Sequence, residues 1–173
     1  MHKDTDFTRP PHRRIGALAI IRDKTGAVLL VQKRYKDGAF GVPGGCAHEN
    51  EAPHLACGRE VREETGLNRT PGPLRLLAVD YMPRNDETGV AEGLNFVFDG
   101  GTVASDAEIV LPEPAPGEEP ELIGWEFVPL DRLREFVTPN TERRVRAAVA
   151  VLEDPSLPTA NLVEGRPALA DAA

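Results

Sequence analysis

A short acidic segment, GREVREETGL at residues 58–67, places Glu60, Glu63 and Glu64 at positions i, i+3 and i+4. Residues at this spacing are neighbours on one face of a helix, and like charges there oppose helix formation by roughly a few tenths of a kcal/mol per pair. A divalent cation would relieve the repulsion, because Mg²⁺ is typically held by a few carboxylates, waters and substrate phosphates. The segment alone favours a solvated charged helix, so a metal site depends on the residues around it.

The residues before the acidic segment favour a site. The tripeptide PGG at 43–45 lacks bulky side chains, so backbone there can approach a ligand closely and its carbonyls can bind a cation. Pro53 suits the first turn of a helix and Gly66 suits the position after the last, which predicts a helix from Pro53 to Thr65. Glu51 lies at its entrance, where negative charge is favourable.

The remaining elements predict a layered α/β domain in which strands flank the acidic helix. Apolar runs at 14–23 and 27–34 suggest a hairpin, residues 36–45 a glycine-rich loop, and residues 101–121 an irregular segment. Further elements are expected as strands at 74–82, 93–100 and 122–130 and as helices at 131–136 and 140–154. The predicted organisation is an N-terminal arm at 1–13, one domain at 14–153 and a C-terminal tail at 154–173.

Composition limits the classes of function. The chain has 173 residues and a formal net charge of −8, which argues against a nucleic acid polymer as partner, since phosphate backbones require a basic surface. Cys46 and Cys57 are the only cysteines, so no disulfide framework is expected. No apolar stretch has the length of a signal peptide or a membrane span, so we expect a cytoplasmic protein without a membrane partner.

Residues 45–67, GCAHENEAPHLACGREVREETGL, resemble the signature of the Nudix hydrolases. Every fixed position of that signature is filled, by Gly45, Glu51, Arg59, Glu60, Val61, Glu63, Glu64, Gly66 and Leu67. The resemblance implies an α/β/α sandwich with a central mixed β-sheet. The chain departs from common members at Phe40, where Trp is frequent, at Asn50, where Gly is frequent, and at Ala52, where a Ser or Thr helix cap is usual.

The resemblance also implies an activity and roles for the residues of the signature. Nudix enzymes use Mg²⁺ or Mn²⁺ to hydrolyse a diphosphate bond in a nucleoside diphosphate linked to another moiety. By position, Glu60 and Glu64 correspond to the main metal ligands, Glu63 to a further ligand or a general base, and the Gly45 carbonyl to a backbone ligand. Glu51 and Arg59 correspond to residues that orient these acids.

The general base and the substrate contacts are less constrained. In this family the base is a glutamate of the signature or one from a loop outside it, and the loop at 116–121 offers Glu118, Glu119 and Glu121, of which we select Glu119. Arg34, beside Lys33 and Lys36, is a candidate for binding phosphate, and Phe40 and Tyr81, with Trp125, are candidates for stacking on a base.

Several substrates remain open within this reading. Relatives that act on ADP-ribose often carry a proline soon after the signature, and Pro83 follows Leu67 by 16 residues, which slightly favours ADP-ribose or a nucleotide sugar. A nucleoside triphosphate is the first alternative substrate. A nucleotide-sensing Nudix domain usually loses acids that this chain keeps, and a prenyl diphosphate isomerase would need a reactive cysteine such as Cys46 and a histidine pattern that is absent. Because many relatives dimerise, a homodimer is a further expectation.

Overall fold

One mixed β-sheet carries the strands of the protein. The computed structural model describes residues 12–34, 39–67, 75–103, 109–114 and 116–168. The elements in chain order are β1 (Arg14–Arg22), β2 (Val28–Lys33), β3 (Phe40–Gly41), β4 (Gly44–Cys46), α1 (Pro53–Thr65), β5 (Leu76–Met82), β6 (Gly93–Thr102), β7 (Leu122–Val128), a 3₁₀ helix (Leu130–Glu135), α2 (Pro139–Glu153), β8 (Ala160–Val163) and β9 (Arg166–Pro167).

The sheet has the order β3-β2-β1-β6-β5-β8-β9, with β4 also paired to β1 and β7 also paired to β2. The pairs β1–β6 and β5–β8 are parallel and the others are antiparallel. This confirms the predicted α/β class with a mixed sheet. The predicted hairpin is narrow, since β1 and β2 pair only through Arg22 and Val28 before each strand turns to other partners.

The two faces of the sheet are covered by different helices. Alternate residues of a strand point to opposite faces. Ala17, Ala19 and Ile21 of β1 therefore pack in one core with Val61 of α1. Ile20 lies in the other core, with Val145 of α2 among its members. The sheet is thus enclosed between two helical layers.

Helix α1 has the bounds that its sequence predicts. Ala52 precedes it without a side-chain capping bond, and Gly66 ends it at φ 70°, where its N–H donates to the carbonyl of Arg62 at 3.0 Å. Asn50 adopts φ 60° in the preceding turn. Asparagine tolerates this left-handed region, which otherwise favours glycine. The replacement of the family's common glycine at this position is therefore compatible with the turn.

The glycine-rich segment before α1 is more ordered than the sequence predicts. It contains β3 and β4, and β4 runs antiparallel to β1 with Ala17 opposite Gly45 and Leu18 opposite Gly44. Residues 35–38 lie outside the described part of the chain. Pairing with β1, which no local pattern reveals, converts an expected loop into the strand that faces α1.

The segment predicted as a C-terminal tail also differs from expectation, because it adds β8 and β9 to the sheet. The fully buried carboxylate of Asp80 on β5 accepts a bond from Arg144 Nε at 2.6 Å and another from the Gly165 N–H at 2.9 Å. It thereby joins β5, α2 and the β8–β9 turn. Of the predicted N-terminal arm, residues 1–11 lie outside the described residues. Within the described residues, no helix is both long and apolar enough to cross a bilayer.

We predict that Asp80→Ala lowers the free energy of unfolding by about 3–5 kcal/mol, because it leaves the buried Arg144 guanidinium without its anion. The control is Glu135→Ala, whose ion pair with Arg132 is half exposed and for which we expect a loss below about 1 kcal/mol. Urea denaturation of both variants measures the difference. Equal losses in the two variants would contradict the structural role of Asp80.

Candidate functional site

The acidic face of α1 is neutralised by cations of the protein itself. Arg59 Nη1 donates to Glu60 Oε1 and to Glu63 Oε2, each at 2.9 Å. Lys33 Nζ forms an ion pair with Glu64 Oε1 at 2.7 Å. The unrelieved repulsion that the spacing of the acids suggests is therefore absent, since each carboxylate has a cationic partner.

Arg59 also connects the helix to the segment before it. Its Nε and Nη2 donate to the two carboxylate oxygens of Glu51 at 2.9 Å, and Nη2 also donates to the Cys46 carbonyl at 3.1 Å. The bonds from Arg59 to Glu51, and to a smaller extent the bond from the backbone N–H of His48, lower the pKa of Glu51 to about 2. The geometry gives Glu51 and Arg59 the means to orient the acids of α1.

Glu64 is the buried member of the acidic face. Its Oε2 accepts a bond from the Gly44 N–H at 2.7 Å, while Lys33 Nζ donates to the Gly44 carbonyl at 2.9 Å. Burial raises the pKa of Glu64. The charge of Lys33 and the hydrogen bonds that Lys33 and the Gly44 N–H donate to this carboxylate act against that rise. Glu64, Lys33 and Gly44 thus form a closed arrangement that joins α1, β2 and β4.

Two glycines permit this contact between the helix and β4. Gly44 has φ 139°, and a Cβ there would lie 2.8 Å from the Leu18 Cα. A Cβ at Gly45 would lie 2.5 Å from the Glu60 Cδ. A side chain at Gly44 would therefore collide with the backbone of β1, whereas a side chain at Gly45 would displace the carboxylate of Glu60.

A cavity of about 390 Å³ adjoins the same glycines. Its wall includes three basic residues, Arg14, Lys33 and Arg144, and none of its described lining residues is acidic. This composition contrasts with the net charge of −8 of the whole chain. This basic cavity thus presents cationic groups and no carboxylate to a ligand, although Lys33 and Arg144 are also paired with Glu64 and Asp80.

Of the predicted substrate residues Arg34, Phe40 and Tyr81, the structure places only Phe40 in the wall of this cavity. Phe40 lines the cavity and makes an edge-to-face contact with Phe136 at 5.4 Å between ring centroids. Arg34 instead pairs with Glu119 at 2.8 Å, and the Tyr81 hydroxyl donates to Glu92 at 2.5 Å. Neither Arg34 nor Tyr81 lines this cavity. Lys36 lies outside the described residues.

The candidate bases are both accessible to solvent. The Glu119 side chain is 74% exposed and that of Glu63 is 51% exposed. The loop of Glu119 is joined to the end of β2 through Arg34, whose side chain pairs with Glu119 and whose backbone N–H donates to the Glu121 carbonyl at 2.8 Å. Neither side chain is excluded from a role by burial.

The cysteines differ sharply in their surroundings. Cys46 is exposed, whereas Cys57 is buried. Burial, with a smaller contribution from the charge of Glu60, raises the pKa of the Cys57 thiol to about 12. Cys57 is therefore a neutral core thiol and no candidate nucleophile.

Sequence reasoning missed several residues of the cavity, among them Gly16, Asn95 and Arg144. Each carries a faint signal. Gly16 interrupts the apolar run of β1, and Asn95 is a polar residue within the otherwise apolar segment LNFVF of β6. Arg144 sits on a helix with other arginines, and only the tertiary contact with Asp80 distinguishes it from them.

Comparison with known proteins agrees with the geometry. A family model described as the NUDIX domain matches residues 12–149. A curated relative, the ADP-ribose pyrophosphatase of Methanocaldococcus jannaschii, is 33% identical over 81 residues, which are 46% of this chain and 47% of that protein. The match thus spans about half of the relative's length.

Solved structures of other proteins share the fold. The MutT protein of Methanosarcina mazei Go1 superimposes with a TM-score of 0.65 at 23% identity, covering 82% of this chain and 96% of the other. The NUDIX domain of Shewanella oneidensis NrtR, solved with ADP ribose, gives a TM-score of 0.62 at 16% identity, covering 86% and 94%. Glu60, Glu63 and Glu64 of the signature lie on α1, and the family model matches most of the chain. This chain therefore belongs to the Nudix family.

Proposed function

We propose that the protein is a Nudix hydrolase that uses Mg²⁺ or Mn²⁺ to cleave the diphosphate bond of a nucleoside diphosphate derivative, with ADP-ribose or a nucleotide sugar as the favoured substrate. The observation that carries this proposal is that Gly44 and Gly45 connect the acidic face of α1 with the basic cavity. These glycines line the basic cavity and also touch the carboxylates of α1.

The oxygen atoms of this region fit a hard divalent cation. Glu60 and Glu64, the Gly45 carbonyl and, as a further donor, Glu63 supply the carboxylate and carbonyl oxygens that Mg²⁺ prefers. Among the residues that the structure describes, no three His, Cys, Asp or Glu side chains converge as a ready ligand cluster, and each acid is paired with a cation instead. When bound, the ion would neutralise phosphate charge and make a bound water more acidic.

The protein's own residues have separate tasks in this proposal. Arg59 holds Glu60 and Glu63 in place through its bidentate contact with Glu51. The cations of the cavity wall offset the negative oxygens of a diphosphate, which otherwise repel a nucleophile. Glu119 or Glu63 accepts the proton of the attacking water.

Two observations support a substrate with a second moiety beyond the nucleotide. Pro83 lines a further depression of about 410 Å³, which shares Met82 and Asn140 with the basic cavity. A ligand with two lobes would extend from one space to the other. A relative named ADP-ribose pyrophosphatase and a fold neighbour solved with ADP ribose favour that class.

The direct test is a substrate panel with Mg²⁺ in which both products are identified. We expect hydrolysis of ADP-ribose to AMP and ribose 5-phosphate, or the equivalent cleavage of a nucleotide sugar. Glu60→Gln should abolish turnover, while the exposed control Glu135→Gln should not. Turnover of nucleoside triphosphates or prenyl diphosphates alone would replace the proposed substrate, and nucleotide binding without turnover would indicate a sensing domain.

The two glycines of β4 provide a matched test of the metal site. Gly45→Ala should keep the free energy of unfolding within about 1 kcal/mol, because the flexible end of Glu60 can move aside, yet it should reduce the rise in Tm caused by Mg²⁺. Gly44→Ala should instead cost about 2 kcal/mol or more, because its backbone is strained and crowded by β1. A normal Mg²⁺ response in Gly45→Ala would place the metal elsewhere.

The general base is tested by comparing Glu119→Gln with Glu63→Gln, with Glu118→Gln as control in the same loop. If Glu119 is the base, its substitution lowers kcat by about 10²–10⁴-fold and leaves the Mg²⁺-dependent rise in Tm intact. If Glu119→Gln leaves kcat unchanged and Glu63→Gln lowers it strongly, the general base is Glu63 of the signature.

A further inference from the structure

The side chain of Asn95 is a polar group that faces the basic cavity. It lies on β6, is 8% exposed and lines the basic cavity. In the described part of the chain its carboxamide makes no hydrogen bond, whereas the buried side chains of Asp80, Arg144 and Glu64 are all bonded. The enclosed side-chain polar atom without a partner in the described chain is Arg143 Nε, so both amide atoms of Asn95 are open to the cavity and available to a ligand that enters it.

The neighbouring strand provides the space for this amide. Gly16 of β1 lies opposite Asn95 in the parallel pair β1–β6, and a Cβ at position 16 would overlap the Asn95 Oδ1. Gly16 also lines the cavity. An alanine in β1 would therefore displace the carboxamide, which links the glycine to the placement of Asn95.

Two further side chains restrict what fits beside Asn95. The guanidinium of Arg144 lines the same cavity and is fixed by its bond to Asp80, so it offers only donors in a set orientation. Phe40 contributes an aromatic surface to the wall. An asparagine amide presents one donor edge and one acceptor edge, and it pairs with a nucleobase edge that has an adjacent donor and acceptor.

We propose that Asn95 recognises the nucleobase of the substrate through a paired donor and acceptor, at a position that Gly16 leaves open. The inference rests on the proposed function, since it assumes a nucleotide in this cavity. All four nucleobases carry such an edge, and adenine, with its exocyclic amine beside a ring nitrogen, and uracil, with its ring N–H beside a carbonyl, serve as the purine and the pyrimidine of the test. The residue determines affinity for the base and takes no part in the bond cleavage.

The test uses AMP, UMP and ribose 5-phosphate, which contain no diphosphate bond and are therefore not consumed. Isothermal titration with Mg²⁺ should show that Asn95→Leu weakens binding of AMP, UMP or both by about 10-fold to 100-fold and leaves ribose 5-phosphate unchanged. Asn95→Ala should behave in the same way and controls for the shape of leucine. Asn161→Leu, on an exposed position of β8, should bind like the parent.

The affected nucleotide distinguishes a purine site, which loses AMP, from a pyrimidine site, which loses UMP. In steady-state assays the same variants should raise KM and keep kcat. Equal weakening of the nucleotide and of ribose 5-phosphate, or no weakening at all, would overturn the role of Asn95. If the parent hydrolyses a diphosphate substrate and the variants bind AMP and UMP like the parent, only the role of Asn95 is refuted. If the parent hydrolyses no diphosphate, the proposed function is refuted.

Discussion

The close approach of α1 to the backbone of β4 is the constraint on which the site depends. Gly45 leaves the space taken by the carboxylate of Glu60, and Gly44 before it has a backbone conformation that other residues rarely adopt and leaves no room for a side chain against β1. Through this contact, the acids of one helical layer reach a strand that also borders the basic cavity. Acidic and basic groups therefore meet at one strand, and Lys33 belongs to both sides, since it lines the cavity and pairs with Glu64.

The charges at this strand are balanced within the protein. Arg59 serves Glu51, Glu60 and Glu63, and Lys33 serves Glu64. A buried carboxylate such as Glu64 is costly unless it is paired and hydrogen-bonded. The same pairing orders the acids before any cation arrives. An entering divalent ion thus meets an arranged set of oxygens and competes with cations that the protein already holds.

The sequence predicts the parts of the fold that are determined locally. Pro53 and Gly66 delimit α1 correctly, because a proline in the first turn and a left-handed glycine after the last are local signals. The pairing of β4 with β1 and of β8 with β5 involves residues far apart in the chain, so no local pattern reveals it. The acids of α1 were likewise visible as a motif, whereas Asn95 and Arg144 become part of a site only through tertiary contacts.

The bond between Asp80 and Gly165 changes where the working unit of this protein ends. The family model stops at residue 149, yet the Gly165 N–H occupies one oxygen of the carboxylate whose other oxygen fixes Arg144 in the cavity wall. A chain shortened after α2 would retain every residue of the signature and still lose this anchor. Arg144 would then keep its bond to Asp80, but that carboxylate would be held less firmly, and ligand binding would carry part of the entropic cost of ordering the pair, which the full chain meets in advance.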